Sequence, residues 1–141
     1  MARGTDLVGH LAEVPLFSKC SKRDLQTIAK HAEVAECDEG VKLVSQGEAG
    51  NAFYVLLSGS AVVRRSGRKV GELEPGDYFG ELAILDPAPR NADIVATSHV
   101  TVARLMVSPF RKMIREVPAL SERLLAGLAH RLRESDRIPN A

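Results

Sequence analysis

Gly80, Glu81 and Arg90 are the residues of this chain whose types and spacing suit a job, and they lie in the run GDYFGELAILDPAPRNA from Gly76 to Ala92. Gly80 lets a backbone approach a ligand closely. Glu81 is acceptor-only at neutral pH, so it is matched to a hydroxyl and mismatched to a phosphate. Leu82, Ala83, Ile84 and Leu85 can form one helical turn, whose first N–H groups lack intrahelical partners and attract an anion. Arg90, nine residues after Glu81, offers a planar donor fork for two phosphate oxygens, which lysine cannot copy. The set describes a receptor for a sugar hydroxyl and a phosphate. Each piece also has a plainer reading: a surface Glu–Arg ion pair of little worth, a turn glycine, and a run of core leucines.

The elements that must position these residues are legible from punctuation. Pro75-Gly76-Asp77 is a turn that delivers Tyr78-Phe79, with Phe79 expected in the core. Between residues 34 and 106, glycines at 40, 47, 50, 59, 67, 71, 76 and 80 separate short β-branched or aromatic runs, the pattern of an antiparallel barrel or sandwich. Phe53–Leu57, Ala61–Val63 and Lys69–Leu73, joined at Ser58-Gly59 and Ser66-Gly67, predict a meander. Val41–Val44, Asp93–Ala96 and Thr101–Met106 are further strands, the last two separated by Thr97-Ser98-His99.

Helices flank this region. Residues 1–33 predict two short helices, with Leu7, Val8 and Leu11 on one face, a bend at Pro15-Leu16-Phe17, and a Ser21/Asp24 capping box ahead of Leu25, Ile28 and Ala29. Ser108 and Pro109 read as N-cap and first helical position of a helix carrying Phe110, Met113 and Ile114, which Val117-Pro118 ends. A last helix places Leu120, Leu124, Leu125, Leu128 and Leu132 on one face, suited to core packing or to a dimer contact. Arg137 to Ala141 reads as a frayed end.

Composition narrows the function class. With 141 residues, 45% hydrophobic and 26% charged, the chain predicts one domain over 1–141. A formal charge of +1 supplies no global field for nucleic acid or an anionic membrane, so any anion site is local. Cys20 and Cys37 read as free thiols in a reducing cytoplasm, no signal-like stretch follows Met1, and no apolar run approaches a membrane span. His10, His31, His99 and His130 are scattered without metal-ligand spacing. No nucleophile elbow, Walker loop, dinucleotide fingerprint or paired acid and base is present, which favours binding without turnover over an enzyme.

Phe79-Gly80-Glu81-Leu82-Ala83, a loop, then Arg90, a small residue and Ala92 resemble the phosphate-binding cassette of the cyclic nucleotide-binding domain family, of the catabolite-activator and kinase-regulatory-subunit type. Phe53-Tyr54-Val55 before Ser58-Gly59, and Pro75-Gly76-Asp77, extend the likeness to the family's strands and turn. The resemblance implies a mainly β fold: an eight-stranded antiparallel β-roll of the jelly-roll type over 34–106, the cassette at 79–92, N-terminal helices over 1–33 and a C-terminal helix pair over 107–137. It implies that Glu81 binds the ribose 2′-hydroxyl and Arg90 the cyclic phosphate. Amides near Leu82, Ala83, Asn91 and Ala92 add donors, and Val63 and Leu73 wall the base pocket. It further implies that the last helix closes over the base and transmits binding, to an effector domain or within a homodimer.

Two residues depart from the family pattern. Asn91 stands where Ser, Thr or Ala is usual, and its side chain can accept from guanine or turn outward. The ligand expected is a 3′,5′-cyclic nucleotide, adenosine 3′,5′-cyclic monophosphate being favoured over the guanosine form. Asp93 opposes a phosphate if it faces inward, and strand alternation beside Ile94 predicts that it faces out. A scaffold that keeps the fold and acts only in protein interaction or dimerisation is the alternative. Nothing after Ala141 provides a helix-turn-helix, so nucleic acid is not an expected partner of this chain, nor is a membrane.

Overall fold

Helices α1 (Arg3–Ala12) and α2 (Lys22–His31) pack beside a single 3-10 turn at Pro15–Phe17. The computed structural model describes residues 3–86 and 88–136. The frayed end expected at Arg137–Ala141 lies outside the described residues. Helix α2 starts where the capping box predicts: Ser21 Oγ accepts from the Asp24 N–H and Asp24 Oδ2 from the Ser21 N–H, each at 3.0 Å. Leu7, Leu11, Leu16, Phe17, Leu25 and Ile28 are thereby buried in one cluster.

Among the described residues eight strands follow, in two four-stranded sheets with only antiparallel pairings. The first sheet runs β1 (Glu33–Cys37), β8 (Val100–Met106), β3 (Ala52–Ser58), β6 (Tyr78–Phe79); the second runs β2 (Lys42–Val44), β7 (Asp93–Ala96), β4 (Ala61–Arg65), β5 (Arg68–Leu73). This is the expected β-roll, and of the two shapes left open by the glycine pattern it is the two-sheet one, with no closed barrel. Strand β3 is buried on both faces. Phe53 and Val55 join the helix-side cluster, while Ala52, Tyr54 and Leu56 join Phe79, Ile94, Ala96, Val100 and Val102 between the sheets. That double burial is why its sequence is continuously apolar instead of alternating.

The predicted meander is corrected. Strands β3 and β4 belong to different sheets, and the Ser58-Gly59 turn carries the chain from one to the other. Gly59 has φ +85°, and a Cβ there would lie 2.2 Å from the His99 carbonyl oxygen, so the crossing is packed against the β7–β8 connection. Among the described residues only β4 and β5 form a hairpin, with Arg65 opposite Arg68 and both turn residues, Ser66 (φ 54°) and Gly67 (φ 80°), in the left-handed region that fits strand twist.

The C-terminal helices also refine the expectation. Helix α4 (Val107–Glu116) begins after Met106, so Ser108 lies inside its first turn and is not the N-cap; Phe110 and Met113 are fully buried. Val117 alone separates it from α5 (Pro118–Asp136), which Pro118 opens. The leucine face of α5 divides. Leu120 and Leu124 are core, Leu128 is half-buried, and Leu125 and Leu132 are each 67% exposed. A helix that touches the body along one line cannot bury positions 124 and 125 together, since they lie about 100° apart around the axis. No helix among the described residues is long and apolar enough to cross a membrane.

Candidate functional site

Arg90 is held by backbone on one side and by β3 on the other. Its N–H donates to Glu48 O at 2.7 Å and its carbonyl accepts from the Gly47 N–H at 2.8 Å, while Pro89 bridges Ala49. The side chain is only 8% exposed. Nη2 donates to Ala52 O at 3.0 Å, its one hydrogen bond among the described residues, which leaves most of the guanidinium's donors for an anion. The cation lies 5.8 Å above the Tyr54 ring, itself stacked on Phe79 at 4.9 Å. Burial pulls the guanidinium below its ordinary pKa, opposed by charge interactions with Tyr54 and Glu81.

Gly80 makes this approach feasible. Its φ of +95° is left-handed, and a Cβ at this position would lie 2.6 Å from Ala52 O and 2.8 Å from Arg90 Nη1. Any side chain would be strained in its backbone and would displace the arginine.

Glu81 opens the short helix α3 (Glu81–Leu85) and is 2% exposed. Its Oε1 accepts from Arg131 Nη1 of α5 at 2.5 Å, and its Oε2 is buried with no hydrogen-bond partner among the described residues. The Arg131 guanidinium also lies 5.1 Å over the Tyr78 ring. Burial raises the Tyr78 phenol, with Arg131 opposing and Glu81 reinforcing that shift. Helix α5 passes very close here: a Cβ on Gly127 would lie 2.2 Å from the Tyr78 hydroxyl. At the far end of α3, Arg111 Nη2 donates to Ile84 O at 3.0 Å, and Ile84 is buried while Leu82 and Leu85 are exposed. The plain readings of a surface ion pair and of a fully buried leucine run are therefore both set aside.

The remaining predicted residues fall into two groups. Leu82 and Ala83 place their amides in the first turn of α3, beside Gly80 and Glu81. Asn91 is exposed, Ala92 is buried, and the Asn91 carbonyl accepts from Arg65 Nε at 3.1 Å. Val63 and Leu73 sit on the second sheet, half-buried against the cluster that contains Tyr54 and Phe79. Asp93 is engaged by other partners: Oδ1 accepts from the Gln46 N–H at 2.7 Å and Oδ2 lies 3.5 Å from Lys42 Nζ. The Gln46 hydrogen bond foremost holds its carboxyl below the usual range.

Sequence reasoning missed Arg131, Tyr54, Tyr78 and the Ala52 carbonyl as neighbours of these groups. One signal was available. Gly127 in mid-helix, one turn before Arg131, costs helix propensity and so points to a close approach of α5 there.

Against known families, the model described as the cyclic nucleotide-binding domain matches residues 35–117, more than half of the chain. The chain belongs to the cyclic nucleotide-binding domain family. It is 41% identical over 101 residues to the cAMP-dependent protein kinase regulatory subunit of Mycosarcoma maydis, an alignment covering 69% of this chain and 19% of that protein. The co-crystal structure of the regulatory domain of Toxoplasma gondii PKA with cAMP superposes with a TM-score of 0.81 at 27% identity, covering 92% of this chain and 50% of that one. The catabolite activator protein of Thermus thermophilus gives a TM-score of 0.81 at 31% identity, over 86% and 60% of the two chains. This cyclic nucleotide-binding module thus spans about a fifth of the curated relative's length and about half of the regulatory domain's.

Proposed function

We propose that the chain is a single regulatory module that senses adenosine 3′,5′-cyclic monophosphate between its sheets and reports occupancy through α5. The observation that carries this reading is the unpartnered Oε2 of Glu81, a carboxylate oxygen shut away from water beside a buried cation that has spare donors. Buried polar atoms without partners are rare because each forfeits its hydration. A ribose 2′-hydroxyl donating to Oε2 removes that cost, and the cyclic phosphate accepts from Arg90 and from amides of Leu82, Ala83, Asn91 and Ala92. Gly80 leaves room for the Arg90 guanidinium beside β3, and Val63 and Leu73 contact the base.

Binding changes the surroundings of Glu81, and Glu81 is already bonded to α5 through Arg131. A ligand that interacts differently with the two dockings of α5 shifts their populations, which is all that signalling requires. The exposed Leu125 and Leu132 then offer the surface for an effector or a second copy. Catalysis is not part of the reading, nor is nucleic acid, and the location is cytoplasmic. The adenine preference follows the cAMP named for the relatives, with Asn91 the residue that bears on it.

Calorimetric titration with the adenosine and guanosine 3′,5′-cyclic monophosphates, and with adenosine 5′-monophosphate as control, tests the proposal. Saturable binding of a cyclic nucleotide, tighter for the adenosine form, is expected. No heat with either cyclic nucleotide would leave the interaction scaffold as the better account.

A further inference from the structure

The β4–β5 hairpin carries Arg64, Arg65, Arg68 and Lys69 around its Ser66-Gly67 turn. Register sets Arg65 directly opposite Arg68 and Arg64 opposite Lys69. Like charges facing each other across a strand pair disfavour the hairpin. Hairpin stability therefore gives no reason for an arginine at 65, and its contact elsewhere does: Nε donates to the Asn91 carbonyl at 3.1 Å, one residue past Arg90.

That contact fixes a peptide plane. In a trans peptide the carbonyl of one residue and the N–H of the next point in opposite directions. With the Asn91 oxygen turned out to exposed Arg65, the N–H of Ala92, a buried residue, points the other way. The hairpin tip is itself pinned. Ser66, at φ 54°, donates its N–H to Gln46 Oε1 at 2.7 Å, and the Gln46 N–H is bonded to Asp93 at 2.7 Å. Arg65 is thus presented from a braced turn to a carbonyl whose neighbouring segment is braced by Gly47 and Glu48.

We propose that Arg65 is a positioning residue for the anion half of the site, setting the Ala92 amide as a phosphate donor without touching the ligand. The proposal rests on the reading of Glu81 and Arg90 given above. Arg65→Met removes both donor and charge, and Arg65→Lys keeps a charged donor. Losing one such orienting bond is expected to weaken cyclic nucleotide binding by about 5–20-fold. The loss should persist at about 0.5 M salt, where the field of an exposed cation is screened. Arg65→Lys should recover most of it, and competition by adenosine, which has no phosphate, should be unchanged in Arg65→Met. In the ligand-free protein, the Ala92 amide resonance should move in Arg65→Met and much less in Arg65→Lys.

Unaltered affinity in Arg65→Met would overturn the role of Arg65 alone, as would a loss that vanishes in high salt or an equal loss for adenosine. Failure of the wild type to bind any cyclic nucleotide would remove the underlying reading and this role with it, whatever the Ala92 resonance does.

Discussion

The two walls of the candidate site are built on different footings. Arg90 is anchored entirely within the roll, by the Glu48, Gly47 and Ala52 backbones and the Tyr54 ring. Glu81 is anchored across fifty residues of sequence, by one guanidinium on a helix that otherwise lies partly in solvent. Backbone hydrogen bonds on one side and strand β3 on the other fix the first wall, which leaves it little freedom to move. The second wall shares its partner with α5, so a change at Glu81 is felt outside the roll. In the proposed reading, binding strength and signalling therefore fall to different sides of the candidate site.

The fixed wall should carry the largest effect. Arg90→Ala is expected to cost about 2–5 kcal/mol of cyclic nucleotide binding, the range for removing one partner of a buried hydrogen-bonded charge pair. Glu81→Ala should cost less, because it removes a single hydroxyl contact and one neighbouring charge. Calorimetry on the two variants checks the order, and a Glu81→Ala loss exceeding that of Arg90→Ala would break the division between a binding wall and a reporting one.

The reporting wall should respond chiefly in α5. Arg131→Ala leaves the Glu81 carboxylate buried with neither oxygen paired, and because Arg131 is 47% exposed the stability loss is discounted for solvent to about 1–2 kcal/mol. Cyclic nucleotide should still bind the variant, while hydrogen exchange in α5 should no longer depend on ligand. Persistence of ligand-dependent protection in α5 of Arg131→Ala would show that the report travels by another route.

Gly127 sharpens the same point through a change of sign. A methyl at 127 meets only the Tyr78 hydroxyl at 2.2 Å, the ring carbon behind it being 3.6 Å away. Gly127→Ala alone should destabilise by about 1 kcal/mol, since overpacking of about 1–3 kcal/mol is offset by about 1 kcal/mol of helix propensity. In a Tyr78→Phe background the obstruction is gone, and Gly127→Ala should instead stabilise by several tenths of a kcal/mol up to about 1. Denaturant midpoints of the four proteins in that cycle decide the matter.

The difference between the walls also explains what the sequence disclosed. The cassette was legible through its resemblance to a family motif, in which a glycine, an acid and an arginine stand at fixed separations within one short stretch of chain. The capping box at Ser21 and the break at Val117-Pro118 were legible because they too are local. Strand existence was readable, but the sheet each strand joined was not. Both faces of β3 are buried, and an apolar run is equally consistent with a hairpin to β4 and with the crossing that occurs. Arg131 was invisible because its partner is set by how α5 lies on the roll. That docking also decides why Leu124 is covered and Leu125 is not, which periodicity alone leaves unsettled.

The smallest effect should lie far from both walls. His99, in the turn between β7 and β8, contacts Glu36 Oε1 at 2.9 Å and Asp38 Oδ1 at 3.2 Å, at the end of edge strand β1. Hydrogen bonding to Glu36, then to Asp38, raises its pKa from the ordinary 6.5. A group whose folded-state pKa is raised stabilises fully below its unfolded value and loses that contribution as pH climbs through the folded one. Melting temperature of the wild type should therefore fall relative to His99→Gln as pH is taken from about 6 to about 8. The drop should be modest, because all three side chains are largely exposed and salt screens them. Cyclic nucleotide affinity should be the same in the two proteins at each pH. A difference in affinity would mean that the β1–β8 edge communicates with the candidate site, and the separation of the two walls from the rest of the roll would have to be redrawn.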